Sequence, residues 1–230
     1  METSTIQKIK AVASRLTENR FLNAGHVLEV RAWEGGTMTE IDLHLPEVDV
    51  HQWQAVPYIK FKVADFTYRD YTPFGWDADT STCSLLIDVG HDGPGSKWAR
   101  LVNTGDAVQY FKIDTTHQTP HATDLVVGMG DASSLAHLLA LQQLTLPVSR
   151  FAGAAFLPDR TQRKLFSEYF RSPVQILSNV GEVQDWINEQ GYCASHSHFY
   201  LTGHNGLVSK IRRQLKNIGH QQIKVKGFWS

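Results

Sequence analysis

Apolar and polar positions along this chain change their period twice. From Ser4 to Asn19, Ile6, Ile9, Val12, Ala13 and Leu16 recur at helical spacing, with charged residues on the other face. That pattern predicts an amphipathic helix. It reads as a helix docked on the domain, with a partner-binding helix as the alternative. From Gly25 to about Ile113 the period falls to two. Val27, Glu29 and Arg31 alternate against Leu28, Val30 and Ala32; Thr39 to Leu45 places apolar residues at every second position; Tyr58 to Val63 and Cys83 to Val89 continue the series. Gly35-Gly36, Pro46, Pro57, Pro73 and Gly93-Pro94 punctuate these runs. Short alternating strands with turn residues between them predict an antiparallel barrel or sandwich.

The texture changes again from Asp124. Apolar runs at Leu125–Met129, Phe151–Leu157, Val174–Leu177, Phe199–Thr202 and Ile223–Val225 alternate with helical patterns. Those patterns cover Ala132–Leu144, Arg160–Phe170, Glu182–Gln190 and the stripe Leu207, Ile211, Leu215, Ile218. Alternation of this kind predicts a parallel sheet covered on both faces. The polar stretch Thr115–Thr123 marks the boundary. The expected architecture is an antiparallel barrel followed by a parallel α/β unit, with a cleft at the carboxyl ends of the parallel strands.

A chain of 230 residues holds one large or two small domains. A formal net charge of −1 offers no basic face for nucleic acid. The two cysteines, Cys83 and Cys193, form no CxxC pair, and fit a reduced cytosolic protein better than a disulfide framework or cysteine metal site. Met1 to Lys10 has no apolar stretch of the signal-peptide kind, and no run approaches the ~20 residues that span a bilayer. The expectation is a soluble cytoplasmic protein, without membrane or nucleic-acid partners, acting as a monomer. A Gly-x-Ser-x-Gly elbow, a P-loop and a complete G-x-G-x-x-G are all absent, which disfavours a serine hydrolase, a P-loop ATPase and a plain dinucleotide-fold dehydrogenase.

Two segments carry candidate chemistry. Arg69-Asp70-Tyr71-Thr72 sets a guanidinium suited to phosphate, an aromatic ring on the same strand face, and a small hydroxyl side by side. Those are the groups a flavin dinucleotide needs; a strand-end arginine beside a buried tyrosine has the same pattern. Gly93-Pro94-Gly95-Ser96-Lys97-Trp98-Ala99 reads as a tight turn into a short helix, with Ser96 as cap and Trp98 as core anchor. Free amides at such a helix start suit an anion, and a plain strand-to-helix turn is the alternative. His91, just before the turn, either touches a flavin phosphate or sits on the turn surface.

Together, Arg-x-Tyr-Thr, then Gly-Pro-x-Ser-x-Trp-Ala, then Gly105-Asp106 resemble the siderophore-interacting proteins, a family of ferredoxin-reductase-like flavoproteins. Gly128-Met129-Gly130-Asp131-Ala132-Ser133-Ser134, Gly203-His204 and the closing Gly227-Phe228-Trp229 extend the resemblance, which spans about Tyr58 to Trp229. With the periodic N-terminal helix taken as 1–20, it implies an FAD-binding barrel over 21–118 and an NAD(P)H-binding α/β domain over 119–230. It implies Arg69 at the FAD pyrophosphate, Tyr71 on the isoalloxazine ring and Thr72 near its N5, the last two being the flavin-positioning pair. Gly95, Ser96 and Lys97 would hold the pyrophosphate, with Trp98 anchoring their helix in the cofactor site. Gly128, Gly130, Asp131 and Ser133 would edge the nicotinamide site, and Trp229 would lie near the flavin or close the core. The implied activity is reduction of ferric siderophores in the cytoplasm, with electrons from NADH or NADPH passing through FAD. A general flavin or electron-carrier reductase and a non-catalytic flavin-binding module are the alternatives. The segment departs from the family's pattern after Thr72, where Pro73, Phe74, Gly75 and Trp76 replace a basic residue, and at Ala132, which replaces an acidic one.

Lys60 and Lys62, two apart on one strand, are candidates for contacting an anionic iron chelate; a solvated strand face is the plainer reading. The basic helix with Lys210, Arg212, Arg213 and Lys216 reads the same two ways. Among the eleven histidines, His117 with His121 and His196 with His198 are the closest pairs. No acidic cluster or third ligand at fixed spacing accompanies them in sequence, so no built-in metal site is expected.

Overall fold

The computed structural model describes residues 22–229; the helix expected over Ser4–Asn19 lies outside them. The first unit holds β1 (Asn23–Ala32), β2 (Met38–His44), β3 (Pro57–Ala64), β4 (Thr67–Tyr71), β5 (Phe74–Asp77), β6 (Thr82–Asp88), α1 (Pro94–Leu101) and β7 (Ala107–Thr115). Its strands form a seven-stranded antiparallel sheet in the order β4-β3-β7-β1-β2-β6-β5. Period-two alternation buries Ile41 and Leu43 of β2, Ile59 and Phe61 of β3, and Leu85 and Ile87 of β6 in one core. The alternation in β1 breaks once. Register shifts between Val27 and Glu29, and Leu28 is 47% exposed. A bulge of this kind adds one residue to a strand and turns its side chain out of the ladder.

The second unit holds β8 (Leu125–Asp131), α2 (Leu135–Thr145), β9 (Phe151–Phe156), α3 (Arg160–Tyr169), β10 (Val174–Leu177), α4 (Val180–Gln190), β11 (Ser197–His204), α5 (Asn205–Asn217) and β12 (Ile223–Trp229). All its strands pair in parallel, in the order β10-β9-β8-β11-β12. Chain direction through the sheet reverses at β8, so β8 and β11 flank the switch point where open α/β sheets bind ligands. Helix starts follow side-chain logic: Asp159 caps α3 by accepting from Gln162 N at 2.7 Å, and Asn179 caps α4 by accepting from Glu182 N at 2.9 Å. Among the described residues no helix is long and apolar enough to cross a membrane.

The two units share apolar packing. Trp33, Met38, Phe74 and Leu86 of the first belong to one cluster with Leu135, Leu138, Phe151 and Phe166 of the second. Phe170 packs against Phe74 with ring centroids 5.7 Å apart and against Trp33 at 6.0 Å. Gln143 Nε2 donates to Trp76 O at 3.0 Å across the seam. The residues after Thr72 are therefore joint material: Phe74 is buried in the seam and Trp76 packs edge-on to Trp53 at 4.9 Å.

Leu138 is fully buried where this cluster meets both sheets. Leu138→Ala removes three buried carbon atoms and is expected to lower unfolding free energy by about 2–5 kcal/mol. Urea denaturation should show one transition at a lower midpoint, because the cluster belongs to both units.

Candidate flavin and nucleotide site

The two candidate segments, more than twenty residues apart in sequence, meet in the fold. In β4, Arg69 and Tyr71 pair with Phe61 and Ile59 of β3, so they share the strand face that looks onto α1. Tyr71 stacks on Trp98 with centroids 5.8 Å apart and planes 21° apart, and Trp98 stacks in turn on Phe61 at 5.9 Å. Trp98 is thus the core anchor of α1 and does not line the cleft. Burial pushes the Tyr71 phenol well above its usual range, partly opposed by Arg69, so it stays a neutral donor.

Gly95 makes the approach possible. A Cβ there would fall 2.2 Å from Tyr71 Oη and 3.3 Å from Arg69 Cγ. Helix α1 starts at Pro94, with Gly93 as its N-cap. Ser96 is therefore inside the first turn and is not the cap expected from sequence; proline's fixed φ favours the first helical position. Ser96 is buried, and its hydroxyl donates to Asp88 O at 3.4 Å. The first helical bond runs from Lys97 N to Gly93 O at 3.0 Å. The Gly95 and Ser96 amides come before it and have no intrahelical acceptor. Lys97 turns away from the cleft and pairs with Asp92 at 3.4 Å.

A cleft of 650 Å³ opens over this turn, between the two sheets. The first unit contributes Lys60, Arg69, Tyr71, Thr72, His91, Gly93, Gly95 and Ser96; the second contributes Ser133, Ala136, His137, Lys226, Gly227 and Phe228. Arg69 is exposed and commits one guanidinium N–H to Tyr68 O at 2.7 Å. Lys60 reaches the cleft but pairs with Asp70 at 3.0 Å, while Lys62 is not part of the lining. Lys226 Nζ lies 5.4 Å from the Tyr58 ring centroid and supplies a second cationic group.

A second cavity of 440 Å³ lies beyond the carboxyl ends of β8, β9 and β11, lined among others by Asp131, Ser133, Phe156, His204 and Lys210. Asp131 organises it. Its carboxylate accepts from Ser133 N at 3.0 Å, from Ser133 Oγ at 2.6 Å and from His204 N at 2.7 Å. Gly203, at φ +113°, is required beside it, since a Cβ would sit 2.5 Å from Asp131 Oδ2. Asp131 therefore ties the ends of β8 and β11 together at the switch point. Gly128 and Gly130 line neither cavity. Gly128 lies mid-strand against Leu138 and Phe151, and Gly130 backs onto Ser134 and the Thr202 carbonyl. Trp229 pairs through its backbone with His204.

His137 is a site residue that the sequence reading missed; it lay inside an apolar helical stripe with no motif around it. Its Nε2 is 2.6 Å from Gln118 Oε1. Gln118 Nε2 donates to Leu201 O at 3.3 Å, so Oε1 is the acceptor and His137 Nε2 carries the proton. Nδ1 is then a bare acceptor, and it has no partner among the described residues. Burial, followed by the charge of Lys226, pushes the imidazolium pKa down to about 3.

No protein-family model matches the chain, and no curated protein matches it in sequence. Solved structures do match. A siderophore-interacting protein from Acinetobacter baumannii superposes with a TM-score of 0.71 at 14% identity, over 90% of each chain. A siderophore utilization protein from T. fusca gives 0.68 at 18% identity, over 90% of this chain and 92% of that one. A ferredoxin NADP+ reductase from Neisseria gonorrhoeae with bound FAD and NADP gives 0.71 at 12% identity, over 90% and 98%. This is the ferredoxin-reductase-like fold. The architecture expected from the sequence, barrel first and parallel sheet second, is the one found.

The neutral His137 makes stability pH-dependent. Its folded pKa lies below the unfolded value of 6.5, so the unfolded chain binds the extra proton between pH 6.5 and about 3. Stability is present above that window and is lost as pH falls through it. Between pH 7 and 5 this one group accounts for about 2 kcal/mol of lost stability. His137→Gln should flatten the pH dependence of denaturant-unfolding free energies by about that amount.

Proposed function

We propose that this protein is a cytoplasmic flavin-dependent oxidoreductase that passes electrons from NADH or NADPH through FAD to a ferric siderophore. The observation that carries the reading is the meeting of Arg69, Tyr71 and Thr72 with the open first turn of α1 on one cleft. The groups present fit FAD. Unpaired amides at Gly95 and Ser96, with the Arg69 guanidinium beside them, suit a pyrophosphate, and glycine leaves room where a side chain would close the cradle. When bound, FAD supplies the hydride acceptor and the one-electron donor that this chemistry needs.

The chain's own residues bind and orient. Arg69 and the α1 turn hold the dinucleotide charge. Tyr71, fixed by Trp98 behind it, gives a rigid aromatic edge, and Thr72 would offer a hydroxyl to the ring. Asp131 and Ser133 hold the edge shared with the second cavity, where the nicotinamide nucleotide would lie across the ends of β8 and β11. His137, a buried residue of the lining with an unprotonated Nδ1, lies next to Phe228 at 5.6 Å between ring centroids. The siderophore step draws support from the siderophore-interacting neighbours and from Lys60 and Lys226 at the cleft. A general electron-carrier reductase is the second reading; the Lys60–Asp70 ion pair favours it, because that pair reduces the positive charge available to an anionic chelate.

The deciding experiment is an anaerobic visible spectrum of protein supplied with FAD. The flavin band should appear bound, bleach with NADH or NADPH, and return when a ferric siderophore is added. Return with free flavin or a carrier protein but with no iron chelate would select the second reading. Arg69→Ala should weaken FAD binding by about 10- to 100-fold, the loss of one or two charge-assisted hydrogen bonds, while circular dichroism stays unchanged. Unaltered FAD affinity would remove the site assignment.

A further inference from the structure

A cluster that the flavin reading does not use lies at the opposite edge of the parallel sheet. Asp124 directly precedes β8, and His196 and His198 lie at the start of β11, more than seventy residues later. Because β8 and β11 pair with Ser197 against Leu125 and His198 against Val126, the residues entering both strands stand side by side. Asp124 Oδ2 is 3.2 Å from His198 Nε2 and 3.7 Å from His121 Nδ1, and Asp124 Oδ1 is 3.3 Å from His196 Nδ1. One donor atom each from His121, Asp124 and His198 lies within 4.8 Å of the others. His117 does not join this set. The histidine pairs seen in sequence thus regroup around an acidic residue that their spacing concealed.

The donor set has the spacing a small cation needs. Nitrogen and oxygen ligands bind zinc at about 2.0–2.2 Å, which places tetrahedral donors roughly 3.3–3.5 Å apart. His121 Nδ1 accepts from Asp124 N at 3.1 Å and faces Thr123 N at 3.4 Å, so as the ring stands its one lone pair is spent on these amides and an ion would take their place. The Asp124 backbone is held on both sides, since its carbonyl accepts from Ser149 Oγ at 2.7 Å. One adjustment is required. The His121 and His198 rings stack at 3.9 Å and 14°, and parallel rings cannot aim two lone pairs at one ion. His121, with 38% of its side chain exposed, is the ring free to turn.

We propose that His121, Asp124 and His198, with water as the fourth donor, form a binding site for a divalent transition cation of the zinc class. Imidazole and carboxylate donors in a four-coordinate set select such an ion over magnesium or calcium. Strands of seven and eight residues separate the site from the cleft, a span of about 20 Å at ~3.3 Å per residue. The ion is therefore structural: it staples the segment joining the two sheets to the start of β11.

The test uses the full chain freed of metal by a chelator and titrated with Co2+, followed by difference absorption. The expected result is one Co2+ per chain with the strong visible bands of a four-coordinate ion, displaced by one equivalent of Zn2+. At a Zn2+ excess near 100 times Kd the Tm should rise by roughly 5–10 °C. Asp124→Asn and His121→Gln should each weaken Co2+ binding by more than the roughly 10- to 100-fold cost of losing an outer partner. His121→Gln keeps the Asp124–His198 pair, so it remains informative if Asp124→Asn fails to fold. His117→Gln should leave binding unchanged. Absence of stoichiometric binding, a weak six-coordinate spectrum, or affinity insensitive to both variants would overturn the proposal and assign the cobalt to scattered surface histidines.

Discussion

The candidate cofactor cleft depends on a missing side chain. Gly95 lets β4 lie directly on the first turn of α1, so that Tyr71 Oη occupies the space where any other residue would put its Cβ. A Cβ built 2.2 Å from the phenol oxygen would force the Tyr71 side chain to shift. Moving Tyr71 would undo its stack on Trp98, and Trp98 is what holds α1 against Phe61. The same contact leaves the helix start open and brings the Arg69 stem against it, 3.3 Å from where a Gly95 Cβ would lie. Cation, amides and aromatic ring are thus placed by packing, before any ligand arrives, which is what preorganised binding of a charged cofactor requires.

A cleft between two units also needs a stiff joint. Here the joint is an apolar seam in which Phe74, directly after the Arg-x-Tyr-Thr segment, packs on Phe170. Phe74 and, in part, Trp76 are committed to this seam, so their character follows from packing. Asp131 adds a polar lock at the other wall of the cleft: one hydrogen bond from His204 N joins the ends of β8 and β11, and two from Ser133 fix the carboxylate. The two walls of the cleft are therefore each anchored to a buried feature, and Ser133 lines both cavities.

Much of this was legible in the sequence, for definite reasons. The change from period two to alternating strand and helix sets the order of the two sheets, and the glycine- and proline-rich segments sit where turns are required. Local pattern failed where a residue's partner lies far along the chain. Ser96 looks like a cap but is buried inside the helix, because Pro94 already fixes the start. Gly128, expected at the edge of the nicotinamide site, lies mid-strand beneath Leu138. His137 is invisible in an apolar helix until Gln118, nineteen residues upstream, is seen to orient it. Asp124 shows no kinship with His198 until parallel pairing of β8 and β11 brings them together.

The segment between the two sheets shows how these long-range contacts combine. Gln118 hydrogen-bonds His137 at the cleft and the Leu201 carbonyl of β11. Thr119 O accepts from Tyr200 Oη at 2.8 Å and from Lys224 Nζ at 2.9 Å. Two residues further on, His121 enters the Asp124 cluster. A connection that might have been a slack polar linker is instead sewn along β11 from the cleft to the far edge of the sheet. Loops tolerate change in proportion to how little of their backbone is bonded, and this one is bonded to strands at successive positions. The position of His137 in the cleft is consequently set from two directions, by the helix that carries it and by the linker that orients its ring.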